Sequence, residues 1–414
     1  PVPKEPVVAA KDWGAMEFVA IAAVVVGLFL LQNQLYKTYA FKNLEYSCTL
    51  STNECYEGDE IELVEEIVNK KWLPLPWLKA EITTSRWLSF AGAQSGVTDS
   101  TRFVPSFFSV KGYSKVTRRW KVKCLKRGEF GIEQVVLITT DLLGYSNLSR
   151  PGGGGARVLV LPRAIESDAL QVSPRYLNGD IMVKRQLLTD PFYISGVREY
   201  TGFEPMSRIH WPATAQQQRI MVYNNDYTSR QSVTIILNMQ SRQFEHQEVV
   251  DEDRMENGIR VCAGLFQTAL SGMPTRFISN CTTDSSRSTT VTGEYWGEEY
   301  IVGLLELLAR LQLHSTEDFG NYLAGITASI SSTDIVIVSG YLSRPMLDFA
   351  DGKRVSGGHG RFFILGPIPE ELDYSGYDVV SCIIDESEGR RVLREKEEAY
   401  ARGGAAEAEK EAAV

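Results

Sequence analysis

The sequence is poor in residues that do chemistry. It has four histidines in 414 residues, His210, His246, His314 and His359. None stands at metal-ligand spacing from another histidine or a cysteine. The six cysteines, Cys48, Cys55, Cys124, Cys262, Cys281 and Cys382, include no C-x-x-C pair, and they read as buried or free thiols of a reducing compartment. If the N-terminal part faced an oxidising space instead, Cys48 and Cys55 would be the candidates for a disulfide. No glycine-rich dinucleotide fingerprint is present. The run Pro151–Gly155 lacks the Gly-Lys-Ser/Thr that completes a phosphate loop, so it reads as a hairpin turn or flexible loop. The net charge is −9 without a basic stripe, which argues against a nucleic-acid partner. No nucleophile, base and orienting acid can be assembled locally; a hydrolytic site would have to form in space, for instance from His210, Asp190 and a serine.

What is present is a folded, multi-domain chain, 43% hydrophobic and 23% charged, and longer than one ordinary domain. One long apolar run stands out. Phe18 to Leu31 is uninterrupted, and the wider span Met16 to Leu35 has 20 residues, about 30 Å of helix, one hydrocarbon core. Trp13 and Tyr36 sit at its edges as interfacial aromatics do. Glu17, Gln32, Asn33 and Gln34 make the span marginal. A signal peptide is the rival reading, although no small-residue cleavage site follows. Lys4 and Lys11 before it and Lys37 and Lys42 after it leave orientation open. The sequence opens on Pro1 rather than Met, as a chain lacking upstream residues would.

From about Leu44 to Arg163 the pattern is all-β. Glu60–Val68, Thr117–Cys124 and Glu133–Thr139 alternate in polarity between turn signals. The prolines of Trp72-Leu-Pro-Leu-Pro-Trp77 predict a stiff extended loop and exclude a central strand there. Short strands over roughly 110 residues suggest an immunoglobulin-like sandwich. From about Ala164 the period changes. Val233–Leu237 is a continuous apolar run, suited to a strand buried on both faces. Helices are expected near Glu252–Leu270 and Glu298–Leu311, and strands at Arg276–Cys281, Asp334–Gly340, Arg361–Leu365 and Asp378–Ile384. This alternation implies a mainly parallel sheet with helices on both faces, and ligands in such sheets bind at the carboxyl ends of strands. The segments expected are therefore an anchor at 1–41, a β-sandwich at 42–163, an α/β domain at 164–385, and a solvated charged tail at 386–414.

The densest stretch is Val197–Ala215, VREYTGFEPMSRIHWPATA. No helical or strand period fits it, so it reads as an ordered, largely irregular segment. Two roles are open. Arg198, Glu199 and His210 could form a buried hydrogen-bonded clamp, with Tyr200 and Trp211 filling a domain seam. Alternatively, the cluster is exposed and docks a partner.

Together the motifs P-L-P-W, R-G-x-F-G-I, D-L-L-G-Y, L-P-R, V-R-E-Y and R-I-H-W-x-A-T-A run in an order that resembles the bacterial family called domain of unknown function fifty-eight. The likeness covers nearly the whole chain. It implies a von Willebrand factor A-like doubly wound C-terminal domain behind the membrane helix and sandwich. It also marks Arg198, Glu199, Tyr200, Glu204, Arg208, His210 and Trp211 as the family motif. Two departures stand out. Phe203-Glu204 replaces the family's Gly-Asp, with Glu204 keeping the acceptor charge. Ser207 and Gln216 stand where arginines are usual; Arg208 replaces the first, but Gln216 cannot make the fork-shaped contacts of the second. The metal loop expected of the fold is also altered. Asn238, Gln240 and Arg242 occupy the places of Asp-x-Ser-x-Ser, and Ser339-Gly340 lacks the later Asp, a poor set for a hard cation.

The apolar run, the sparse chemistry and the altered metal loop lead to the expectation of a membrane-anchored, non-enzymatic adaptor without metal or cofactor, and the resemblance implies that it works with a MoxR-type AAA+ ATPase in a chaperone or complex-assembly system. Its globular parts are then expected on the cytoplasmic face of a bacterial membrane, with no small-molecule substrate identified. The competing readings are an extracytoplasmic adhesin or envelope-binding module, and a hydrolase using His210.

Overall fold

The computed structural model describes residues 15–165 and 194–382, apart from 99, 142–143, 145, 201–205, 207–208, 226–231, 246–247, 270–273, 284–287, 331–333, 356–357 and 370. The chain divides into two compact units between Val160 and Leu161. The charged tail lies outside the described residues.

The first unit opens with helix α1 (Ala15–Tyr39). Among the described residues it is the one helix long and apolar enough to cross a membrane, a test that a signal sequence near an N-terminus also meets. Phe18, Val24, Leu28 and Leu31 are exposed, whereas Tyr36 and, just past the helix, Ala40 belong to the core of the β-structure that follows. The polar residues that weaken the apolar run have partners there. Gln32 Nε2 donates to Asp141 Oδ2 at 2.6 Å, Ser146 Oγ donates to Asn33 Oδ1 at 2.8 Å, and Tyr36 OH donates to the Pro74 carbonyl at 3.0 Å.

Eleven strands follow: β1 (Leu44–Leu50), β2 (Glu54–Tyr56), β3 (Glu60–Asn69), β4 (Leu75–Ser85), β5 (Leu88–Phe90), β6 (Gly96–Val97), β7 (Thr101–Val110), β8 (Ser114–Cys124), β9 (Gly128–Thr140), β10 (Asn147–Gly153) and β11 (Arg157–Leu161). They form one sheet ordered β1-β3-β8-β5 and a second ordered β2-β11-β9-β4-β7-β6, with β10 on β9. Alternate residues of both sheets, among them Leu63, Ile67, Leu78, Ile82, Val104, Val122 and Val135, fill one core, as period-two strands with one buried face require. Pro151 to Gly153 end β10, and the turn to β11 has positive φ at Gly153 and Gly155.

Two expectations for this unit are corrected. The proline stretch is not wholly loop, because β4 begins at Leu75 and is central, between β7 and β9. Pro76 is tolerated because the register shifts between Leu75 and Leu78, a bulge that needs no N–H there. Nor are Cys48 and Cys55 partners. Cys48 pairs across the sheet with Glu65, while the buried Cys55 lies 3.4 Å, sulfur to sulfur, from Cys124 on β8.

The second unit contains β12 (Ile194–Glu199), α2 (Trp211–Gln217), β13 (Met221–Asn225), β14 (Val233–Leu237), α3 (Glu252–Ala269), β15 (Thr275–Ser279), β16 (Cys281–Thr283), β17 (Thr290–Val291), α4 (Glu298–Ala309), β18 (Leu311–Ser315), α5 (Phe319–Ile326), β19 (Asp334–Ser339), α6 (Arg344–Val355), β20 (Gly360–Ile364) and β21 (Asp378–Ser381). The main sheet is ordered β17-β15-β14-β19-β20-β21, parallel except for β17 at its edge. Counting its strands from β14, that is the 3-2-1-4-5-6 order of a doubly wound sheet, in which the strand order reverses between the parallel neighbours β14 and β19.

All five residues of β14 are buried. Ile236, Ile337 and Phe362 pack with Phe319, Met346 and Leu347 from α5 and α6. On the other side, Gly258 of α3 is tight against Leu237 and Leu365, and Phe266 of α3 meets Phe277 edge to face. The helix expected to reach Leu311 ends at Ala309. Leu311 opens β18, which pairs antiparallel with β16.

Candidate functional site

The stretch Val197–Ala215 is more regular than its sequence suggests. Arg198 and Glu199 end β12, which pairs antiparallel with β13, Arg198 opposite Val222 and Glu199 opposite Met221. Both side chains are exposed. Glu199 meets Arg219 at 3.6 Å on the surface, where such pairs contribute little. Trp211 is 65% exposed and Tyr200 half-buried. His210 is half-buried in the N-cap position of α2. Its Nδ1 accepts from the Ala213 N–H at 3.0 Å, and its ring lies edge to face on Tyr223, 4.7 Å between centroids. With that lone pair committed, the ring proton sits on Nε2.

The buried clamp of Arg198, Glu199 and His210 is therefore not what the structure holds. Its two charged members lie on the exposed end of a two-stranded ribbon, to which no further strand is added among the described residues. Glu204 and Arg208 lie outside the described residues, as does Asp190, the proposed acid of a His210 triad.

The carboxyl ends of β14 and β19, where the strand order reverses, carry the second set. Here Asn238, Gln240 and Ser339 are all fully buried. Asn238 Nδ2 donates to Ser339 Oγ at 2.9 Å and ties the two strand ends together. Its Oδ1 accepts from the Gln240 N–H at 3.0 Å. Gln240 Nε2 donates to the Glu245 carbonyl at 2.6 Å; its Oε1 accepts from the Phe319 N–H at 3.0 Å and the Tyr341 hydroxyl at 2.9 Å. Burial pushes that hydroxyl up to about 12. Asn280 Oδ1 accepts from the Met239 N–H at 2.8 Å. The Glu245 carboxylate takes hydrogen bonds from Ser241 N–H, Ser241 Oγ and Val250 N–H. There is no room to open this floor by small shifts. A Cβ on Gly340 would stand 2.5 Å from the Ser241 carbonyl oxygen.

A hard dication needs several free oxygens, carboxylates among them. Here the side-chain oxygens of Asn238, Gln240 and Ser339 already accept hydrogen bonds, and the two amide NH2 groups are committed to Ser339 and the Glu245 carbonyl. The residues do not fit such an ion. Arg242, the third residue of that set, is exposed and does not enter the space. It is Arg254 that approaches the floor, donating to the Ser241 carbonyl at 3.3 Å and pairing with Asp251 at 3.0 Å.

The buried floor holds a loop above it. Between Ser241 and Glu245, both buried, Arg242, Gln243 and Phe244 are exposed. Phe244 is 74% exposed and takes a left-handed backbone, φ 64°. That conformation costs about 1–2 kcal/mol in a non-glycine residue and persists only when its surroundings over-determine it. Here the surroundings are the Glu245 carboxylate and the Gln240 amide, which close the loop from both ends. Sequence reasoning missed Phe244, Glu245, Asn280 and Tyr341. The one visible signal was a glutamate four residues beyond Ser241 in a loop at a strand end.

The molecule so defined is a two-unit chain, an apolar helix with a two-sheet β-unit and a doubly wound α/β unit whose switch point is closed by a buried side-chain network. The sequence matches no family model and no curated protein. Among solved structures it is similar to a cohesin module of a Clostridium perfringens family 33 glycoside hydrolase, at 7% identity and TM-score 0.22, covering 29% of this chain and 98% of that one. It is also similar to a CARDB domain from Pyrococcus furiosus, at 10% identity and TM-score 0.18, over 28% and 90% of the two chains. A third likeness is to Spo0M, a sporulation control protein of Bacillus subtilis, at 13% identity and TM-score 0.17, over 28% and 49%.

Proposed function

We propose that this protein is a membrane-anchored, non-enzymatic adaptor that binds a protein partner at the carboxyl edge of its α/β unit. On this reading α1 spans the membrane, the two-sheet unit is an immunoglobulin-like stalk, and the α/β unit is a von Willebrand factor A-like domain working without metal. The observation that carries it is the exposed Arg242–Phe244 loop, held in a strained conformation by a saturated buried network. An aromatic and an arginine presented rigidly on a locked loop are what interface hot spots are made of. The commitment of His210 Nδ1 to capping α2 supports the non-enzymatic part.

The family resemblance supplies the partner, a MoxR-type AAA+ ATPase, and with it a cytoplasmic placement at a bacterial membrane. The test is a pull-down of the detergent-extracted full chain against that ATPase. Capture is expected for the wild type and loss of capture for Phe244→Ala and Arg242→Glu at unchanged melting temperature. Equal capture by all three would remove the loop from the interface. No capture by any, with the globular units cut by protease added to intact cells, would favour the extracytoplasmic adhesin.

A further inference from the structure

The end of α1 and the proline stretch meet in one place. From Phe18 to Leu31 the helix is apolar and exposed, about 20 Å of its length. At Gln32 the side chains turn polar and bind the β-unit at Asp141 and, through Asn33, at Ser146. One turn on, Tyr36 OH is bonded to the Pro74 carbonyl, inside Trp72-Leu-Pro-Leu-Pro-Trp77. Trp77 is tied to the same corner, because its carbonyl accepts from Thr139 Oγ1, two residues before Asp141. The stretch that grips the helix at its polar turn thus carries a tryptophan at each end. Trp72 is 61% exposed and Trp77 is 67% exposed. Phe107, 65% exposed, lies opposite Lys79, the next residue after Trp77 on that face of the sheet. Leu73 and Leu75 between the two indoles are buried, so the ends are fixed from within. Two large apolar rings exposed on a stiffened bend and the start of β4, beside the point where a helix leaves hydrocarbon, match the amphipathic demands of a bilayer's headgroup layer.

We infer that Trp72 and Trp77 lie in the lipid headgroup layer of the bilayer that α1 crosses, seating the β-unit on the membrane surface. This rests on the spanning reading of α1. The bilayer is the occupant because the loop is bonded to α1 where that helix turns from apolar to polar.

The test uses the full chain in vesicles of phosphatidylethanolamine and phosphatidylglycerol with brominated acyl chains, which quench tryptophans at the interface. Of the tryptophans among the described residues, Trp72 and Trp77 would be within reach. The double variant Trp72→Phe, Trp77→Phe should therefore lose a large part of the lipid-dependent quenching, while Trp211→Phe, Trp296→Phe should lose none. Undiminished quenching in the first variant, with aqueous iodide reaching Trp72 and Trp77 freely in the wild type, would overturn the inference while leaving α1 in the membrane. A wild-type chain that washes off the vesicles in alkaline carbonate would overturn both.

Discussion

Replacing Gln240 by alanine tests whether the switch point is held by its buried amide. The side chain is 1% exposed and makes three hydrogen bonds, to the Glu245 carbonyl, the Phe319 N–H and the Tyr341 hydroxyl. Truncation leaves two donors without their acceptor inside the protein, at about 1–3 kcal/mol each, and the Glu245 carbonyl loses one of its bonds. Taking about 1.5 kcal/mol per orphaned donor and about 1 kcal/mol for the lost packing gives a destabilisation of about 4 kcal/mol. Because the chain has two units, a global melt would blur the effect; hydrogen exchange read segment by segment keeps them apart. Amides of β14 and β19 should exchange about a thousand-fold faster in Gln240→Ala, at about 1.4 kcal/mol per factor of ten, while those of β3 and β8 keep the wild-type rate. Less than a tenfold change at β14 and β19 would refute the reasoning, since a solvent-filled site would not miss the side chain.

Other consequences are sharp enough to check. Lys71 is buried, its ammonium has no hydrogen-bond partner among the described residues, and burial lowers its pKa from 10.5 to about 8. The folded state prefers the neutral amine, so the penalty is present below about pH 8 and vanishes as pH rises to 10.5. Lys71→Met should therefore stabilise the β-unit at pH 7, on the order of 1–2 kcal/mol, in urea melts, and the gap to wild type should close between pH 8 and 10.5; a constant gap would contradict the assignment. Magnesium, manganese or EDTA should leave the melting temperature unchanged, because a native-state ligand would raise it by mass action; a rise that saturates with the metal would restore an ion to the site. Cys55 and Cys124, at 3.4 Å, are the thiols that oxidation would join. In chain extracted from cells under acid trapping both should be free if the unit faces the cytoplasm, whereas a Cys55–Cys124 disulfide in that sample would move it to an oxidising compartment.

Much of the architecture was legible because burial writes a period into the sequence. Val233–Leu237 coincides with β14, and the helix expected from Glu252 begins there. Elements on one side of a two-sheet core alternate visibly, as Glu60–Asn69 does. Proline misled at β4, since its missing N–H matters only where the ladder needs one, and the bulge at Pro76 does not. The candidate site was legible in its positions and not in its contacts. Asn238, Gln240 and Ser339 were located from the strand ends, but local sequence could not say that they bond to one another across 101 residues. Arg242 and Arg254 both lie near that loop, and only the fold decides which turns inward. Val197–Ala215 failed for the opposite reason. A cluster of charged and aromatic residues looks the same in sequence whether a third layer covers it or, as for Arg198, Glu199 and Trp211, solvent does. The left-handed backbone of Phe244 leaves no compositional trace, because glycine or asparagine would be the expected residue there.

The most direct measurement is a photo-crosslinking residue placed at Phe244 in the full chain and activated in intact bacteria. The account predicts a crosslink to a cytoplasmic AAA+ ATPase of the MoxR type, absent when the same probe replaces the buried Phe319. A crosslink to an envelope or extracellular protein, or none at position 244 while the probe at Trp211 captures the ATPase, would contradict it.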